Sequence, residues 1–83
     1  MTITCTILLF AQLTDTVGES QLEIQLSANA TVAIALDALI QQYPSLQQHR
    51  RTLAVAVNER YAGFETLLRH GDTIALIPPV SGG

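Results

Sequence analysis

The chain has 83 residues, a formal net charge of -3, 48% apolar residues and only 13% charged residues. A chain of this length forms one domain with a thin core, since such a domain buries only about 60% of the surface that its unfolded form exposes. Its four basic residues are all arginines, which is too few for the basic face that nucleic acid or an anionic membrane would require.

The first part of the chain predicts two strands. Thr2 to Phe10 is rich in Thr, Ile and Leu, and its last four residues are apolar on both faces, as in a central strand. Residues 11–20 break this pattern, with one helical turn expected at Leu13 to Val17. Gln21 to Leu26 then alternates apolar and polar residues, which predicts a half-buried second strand paired with the first.

A helix follows, with Thr31 as its N-cap and apolar residues at three- and four-residue spacing as far as Tyr43. Pro44 ends it, because the residue before a proline is pushed out of the helical conformation. Residues 45–52 are polar and predicted to be irregular, with a short turn around Leu46. The helix therefore presents one apolar stripe to a sheet.

The last part predicts three more strands. Leu53 to Val57 is the third, and the turn Asn58-Glu59-Arg60 leads to a brief fourth near Tyr61 and Ala62. Leu67 and Leu68 are expected to cover one end of the core. Gly71-Asp72 is read as a turn, and Thr73 to Ile77 as the final strand, with Ile74 and Leu76 on one face.

This order predicts an α+β fold in which one main helix packs on one mixed sheet, as in the ubiquitin-like β-grasp. We expect the domain to span residues 1–78 and a flexible tail ending in Gly-Gly to span residues 79–83. No apolar run reaches the ~18 residues of a membrane span, and no leader segment opens the chain. A soluble, cytoplasmic protein is therefore expected, with exposed apolar surface as its partner site.

Self-contained catalysis is not predicted. Without lysine there is no Walker motif for nucleotide phosphates, and His49 and His70 lie too far apart in the sequence to indicate a metal site. Cys5 is the only cysteine, and it lies in the strand alternation of Ile3 and Ile7, which predicts a buried, inert thiol in place of a persulfide carrier.

The remaining candidate is the end of the chain, which follows the last strand directly as Pro78-Pro79-Val80-Ser81-Gly82-Gly83. The four residues after Pro79 reach roughly 13 to 14 Å when extended. The prolines stiffen the exit, and the glycines have no Cβ to obstruct the approach of a terminal carboxylate to a nucleotide or substrate. A frayed end without function is the alternative.

Several motifs together resemble the small subunits of molybdopterin synthase, the MoaD family. They are Leu8-Leu9-Phe10-Ala11-Gln12, the helix start Thr31-Val32, Ala56-Val57-Asn58, Gly71-Asp72-Thr73 and the ending from Ile77 to Gly83. The resemblance spans nearly the whole chain. Its Gly-Asp and Gly-Gly parts are shared with the thiamine sulfur carrier and other ubiquitin-like carriers.

The resemblance implies that Gly83 is adenylated by an E1-like enzyme that uses ATP, and is then converted to a thiocarboxylate by a sulfur donor system. The tail would enter the large synthase subunit, in a heterotetramer, and give its sulfur to cyclic pyranopterin monophosphate. The catalytic residues would belong to the large subunit, and this chain would bind no cofactor or metal. Docking would use an apolar sheet face with Ile77, Tyr61 and Phe10. A thiamine-pathway carrier and a ubiquitin-like modifier or binding module are the alternatives.

Overall fold

The computed structural model describes residues 1–79, which form a five-stranded mixed sheet with one long helix packed on it. The predicted order of elements and the α+β class are confirmed. No helix within the described residues is long and apolar enough to cross a membrane. The elements in chain order are β1 (Thr2–Leu9), α1 (Gln12–Val17), β2 (Gln21–Ser27), α2 (Val32–Gln42), a 3-10 helix (Pro44–His49), β3 (Ala54–Val57), β4 (Arg60–Tyr61) and β5 (Thr73–Ile77).

The two ends of the described chain meet in the middle of the sheet. The spatial order is β2-β1-β5-β3-β4, and β1 pairs with β5 in parallel, from Thr6 opposite Thr73 to Leu9 opposite Leu76. The other pairs are antiparallel. Strand β1 thus has a neighbouring strand on both sides, as its sequence predicts for a central strand.

One face of the sheet forms the core with α2. In β1, β2 and β5 the buried residues of this face alternate with half-buried or exposed ones, and the stripe of α2 closes over them. Cys5 belongs to this face, as its alternation predicts. The buried core comprises Cys5, Ile7, Leu9, Leu13, Ile24, Leu26, Ala30, Val32, Ala35, Leu36, Leu39, Leu46, Leu53, Val55, Leu68, Ile74 and Leu76.

The start of α2 is fixed by hydrogen bonds to all three amides of its first turn, which have no partner inside the helix. The Thr31 side-chain oxygen accepts from the Ile34 N–H at 3.3 Å, so the predicted N-cap is confirmed. The Val32 and Ala33 amides donate to the carbonyls of Thr66 and Phe64, each at 3.0 Å. The segment after β4 therefore caps this helix as well as connecting two strands.

The expectation that Leu67 covers the core is wrong. Leu67 pairs with Thr31 in an isolated antiparallel bridge, so the chain is extended there and successive side chains point to opposite sides. Leu68 is buried, whereas Leu67 is 62% exposed.

Element boundaries also differ slightly from prediction. Strand β1 stops at Leu9 because Ala11 has a positive φ of 52°, which turns the chain out of the sheet. Strand β3 starts one residue later than expected, at Ala54, and β2 extends to Ser27. The segment after Tyr43, predicted to be irregular, contains the 3-10 helix.

Replacing the N-cap tests this account of α2. We expect Thr31→Ala to lower the free energy of unfolding by about 1 kcal/mol, because the Ile34 amide loses its acceptor. Thr31→Ser keeps a hydroxyl at this position and should lose much less. Urea denaturation of the three proteins measures the difference. Equal losses in both variants would show that the hydroxyl contributes nothing.

Candidate functional site

The sheet face opposite α2 has no helix packed over it within residues 1–79, and we call it the open face. One row of cross-strand partners runs over it: Leu8 of β1 lies opposite Ala75, Ala75 opposite Ala56, and Ala56 opposite Tyr61. The floor is flat because two of these side chains are methyl groups. Tyr61 projects from the end of the row and is 80% exposed.

The open face continues toward the point where the chain leaves β5. Ile77 follows Ala75 by two residues, so it lies on this face, where it pairs with Ala54 and is half-buried. Phe10 comes directly after β1, whose last residue, Leu9, pairs with Leu76, and is 47% exposed. Three apolar residues predicted to contact a partner thus lie at the rim of one surface.

The exit of the chain is at the centre of the sheet, between β1 and β3. Pro78 is buried against the domain and Pro79 is exposed. The predicted tail residues Val80, Ser81, Gly82 and Gly83 lie outside the described residues. Pro78 and Pro79 therefore follow directly after Ile77, the apolar residue at this end of the open face.

A depression of about 370 Å³ lies on the open face at the other end of β5 and is lined by Leu8, Asn58, Glu59, Thr73 and Ala75. Sequence reasoning placed Ala75 on the same face of the last strand as Ile77 but named neither Leu8 nor Ala75 as a contact residue. The alternation of β1 and β5 could have found them, because Leu8 stands between buried Ile7 and Leu9, and Ala75 between Ile74 and Leu76.

The rim of this depression is held by Asp72, predicted only as a turn residue. Its carboxylate accepts from the Arg69 amide and from the Asn58 side-chain amide, both at 2.8 Å. The Asn58 side-chain oxygen in turn accepts from the Thr73 N–H at 2.9 Å. These bonds join the β3–β4 turn, where Asn58 and Glu59 have positive φ, to the start of β5. Side-chain hydrogen bonds therefore hold the rim of the depression in addition to the backbone hydrogen bonds between the strands.

The sequence profile of the ThiS family matches residues 7–83. The chain belongs to the ThiS family. It is 35% identical to the molybdopterin synthase sulfur carrier subunit of Arabidopsis thaliana, over 93% of this chain and 80% of the relative. The resemblance to MoaD proteins is thus confirmed.

Solved structures confirm the β-grasp fold of this ThiS-family chain. The crystal structure of SAMP1 from Haloferax volcanii superposes with a TM-score of 0.85 at 32% identity, covering 96% of this chain and 99% of that one. A chain of the complex of subunits 1 and 2 of the molybdopterin-converting factor from Helicobacter pylori superposes with a TM-score of 0.65 at 27% identity, covering 98% and 100%. The fold is therefore one that occurs in a two-subunit complex.

Cys5 is the only cysteine of this ThiS-family protein, and it lies on the core face, away from the open face. Its side chain is 1% exposed, and the Sγ–H points to the Arg69 carbonyl oxygen at 3.6 Å. Burial raises the pKa of the thiol above its ordinary value of 9.0, and the Asp72 carboxylate raises it further. A protonated, enclosed thiol is a poor nucleophile.

Cys5 should accordingly resist alkylation in the folded protein and react fully after denaturation, as followed by iodoacetamide labelling and mass spectrometry. Because the folded state holds the thiol proton more tightly, the stability that this group contributes is complete below pH 9.0 and is lost as the pH rises above it. Cys5→Ala should show a shallower alkaline loss of stability. Rapid labelling of the native protein would contradict the buried assignment.

Proposed function

We propose that this chain is the sulfur carrier subunit of a molybdopterin synthase. In this proposal Gly83 carries sulfur as a C-terminal thiocarboxylate and donates it to cyclic pyranopterin monophosphate. The observation that carries the proposal is the exit of the chain from the centre of the sheet beside an open apolar face, in a chain similar to the carrier subunit of Arabidopsis thaliana.

The chemistry of the tail follows from its residues. A carboxylate is a poor electrophile, so an E1-like enzyme first transfers AMP from ATP to the Gly83 carboxylate and releases pyrophosphate. A sulfur donor system then supplies a sulfur nucleophile that displaces AMP and leaves the thiocarboxylate. Gly82 and Gly83 suit both steps because their backbone can enter a narrow site without a side chain. The domain itself takes no part in these bond changes.

Docking brings the loaded tail to its acceptor. The large subunit would cover the open face, with exposed Tyr61 as an anchor and with Phe10 and Ile77 closest to the exit of the chain. Tyrosine is enriched among the residues that contribute most of the affinity of an interface. The catalytic groups that bind the pterin are assigned to the large subunit, so this chain acts as a co-substrate.

A ubiquitin-like modifier is the second candidate, and the similarity to SAMP1 of Haloferax volcanii favours it in both sequence and structure. A modifier uses the same activated carboxyl group but transfers it to an amine. The sequence has no lysine, so the chain could not form isopeptide-linked polymers on itself, although other proteins could still accept it. A carrier for thiamine synthesis differs only in the acceptor of its sulfur.

Mass spectrometry of the intact protein tests the thiocarboxylate. After incubation with ATP, the activating enzyme and a sulfur donor, we expect the mass change of one oxygen atom replaced by sulfur. Deletion of Gly83 should abolish this change without altering the fold, since the deleted residue lies beyond the buried Pro78. Conjugates to other proteins in place of the thiocarboxylate would indicate the modifier, and no change would contradict both functions.

A pair of exposed residues tests the docking surface. We expect Tyr61→Ala to weaken binding of the large subunit by about tenfold or more, because a side chain with 80% exposure is free to anchor a partner. Leu67→Ala is the matched control, since Leu67 is also exposed and apolar but lies on the segment that caps α2. Isothermal titration calorimetry measures both. Equal effects of the two changes would rule out the open face as the interface.

A further inference from the structure

The strand β2 is an outer strand of the sheet, beside β1 only. An outer strand presents a row of backbone donors and acceptors that a further strand can pair with. Seven residues, Gln21–Ser27, form this strand, which is longer than the outer strand β4 at the other side of the sheet. The β2 edge is therefore the larger of the two free edges.

The hydrogen bonds that flank β2 show which of its residues face outward. The Leu9 N–H donates to the Ser20 carbonyl and the Ala28 N–H donates to the Met1 carbonyl, at 2.9 and 3.1 Å. Hydrogen-bonded and non-hydrogen-bonded pairs of residues alternate along two antiparallel strands. Because Ser20 and Ala28 are both hydrogen-bonded, the even-numbered residues between them also bond to β1, and the odd-numbered ones point away from it. The backbone groups that point away from the sheet, and that have no partner within residues 1–79, are those of Gln21, Glu23 and Gln25.

A groove of about 350 Å³ runs between this edge and α2, lined by Glu23, Ile24, Gln25, Ala38 and Gln42. Ala38 and Gln42 are one helical turn apart, and the 50% exposed Ile34 precedes Ala38 by one more turn on the same row. The small side chain of Ala38 leaves room above Ile24. The groove can thus accept an apolar side chain from a strand added at the edge.

We propose that the β2 edge and this groove bind an extended, basic peptide segment of another protein as a sixth strand of the sheet. Its backbone pairs with the outward groups of Glu23 and Gln25, since strand addition uses main-chain hydrogen bonds for affinity. Alternate side chains then point to opposite faces. Apolar residues enter the groove beside Ala38, and basic residues lie next to the Glu23 carboxylate on the open side.

Charge selects this occupant over a second copy of the chain. Glu23 is the only charged residue that lines the groove, and Arg50, the arginine that contacts α2, is already paired with Asp37 at 3.1 Å. Two copies paired edge to edge around Glu23 would place the two Glu23 carboxylates opposite each other, and like charges in that position destabilise a sheet. Each copy also has a net charge of -3. The same negative charges attract a basic partner.

The probe is the capped peptide acetyl-Lys-Ile-Val-Ile-Lys-amide, titrated into the ¹⁵N-labelled full chain and followed by NMR. We expect amide shifts along Gln21–Ser27 and at Ala38 and Gln42. The peptide with both lysines replaced by glutamate should bind several-fold more weakly, and Glu23→Gln should reduce the affinity for the lysine peptide about two-fold.

Two variants block the proposed binding site, one at the strand edge and one in the groove, without removing a backbone hydrogen bond between β1 and β2. Gln25→Pro removes an outward N–H, and a proline is tolerated where that group faces solvent. It should abolish binding, whereas Gln25→Thr keeps the N–H and should bind normally. Ala38→Gln fills the groove with a good helix former and gives a second test if the proline variant does not fold.

The proposal fails if the two peptides bind equally well, if the shifts fall on β3 and β5 and not on β2, or if Gln25→Pro and Ala38→Gln both bind like the unaltered chain. A dimer that forms without peptide and is lost in Gln25→Pro would show that a second copy occupies the edge, which also contradicts it. The site is separate from the tail. Thiocarboxylate formation in Gln25→Pro should therefore be unchanged, which distinguishes this test from that of the carrier function.

Discussion

The parallel pairing of β1 with β5 is the constraint on which the rest of the fold depends. It joins Thr6–Leu9 to Thr73–Leu76, segments from opposite ends of the sequence, so it closes a loop that includes every other element. Loop closure costs entropy that grows only slowly with length. The burial of four side chains of this strand pair offsets that entropy cost, because each contributes about 1.5–3 kcal/mol when it is transferred out of water. These side chains are Ile7, Leu9, Ile74 and Leu76.

The same pairing determines where function can lie. Because β5 is central, the chain leaves the sheet at Ile77 between β1 and β3, with Phe10 beside it. The core face is occupied by α2, so only the opposite face is available next to the exit. The alanines of β3 and β5 keep that face flat, and Tyr61 is the large side chain at its side. The fold thus uses one face of these strands and leaves the other for the proposed docking.

Local patterns predicted the strands, the Thr31 cap and the buried Cys5, because alternation and capping depend on neighbours in sequence. Three features were missed, two of which depend on distant contacts. Leu67 is exposed because its segment pairs with Thr31, and Asp72 bridges two turns through Asn58. Ala11 adopts a positive φ that favours glycine, so its residue type gave no signal that β1 ends before Phe10.

Carrier and modifier share everything that the tail supplies, namely a thin glycine end and a carboxylate open to activation. They differ in the nucleophile that meets the activated carboxyl group, sulfur or an amine, and that nucleophile belongs to the partner. Selection of the partner must therefore reside in the domain surfaces. In the proposed complex the open face, with Tyr61 at one rim and Ile77 at the exit of the chain, would set the distance from a docked partner to the tail. Under the proposed function, the sheet face would select the pathway, while the glycines would supply the chemistry that the pathways share.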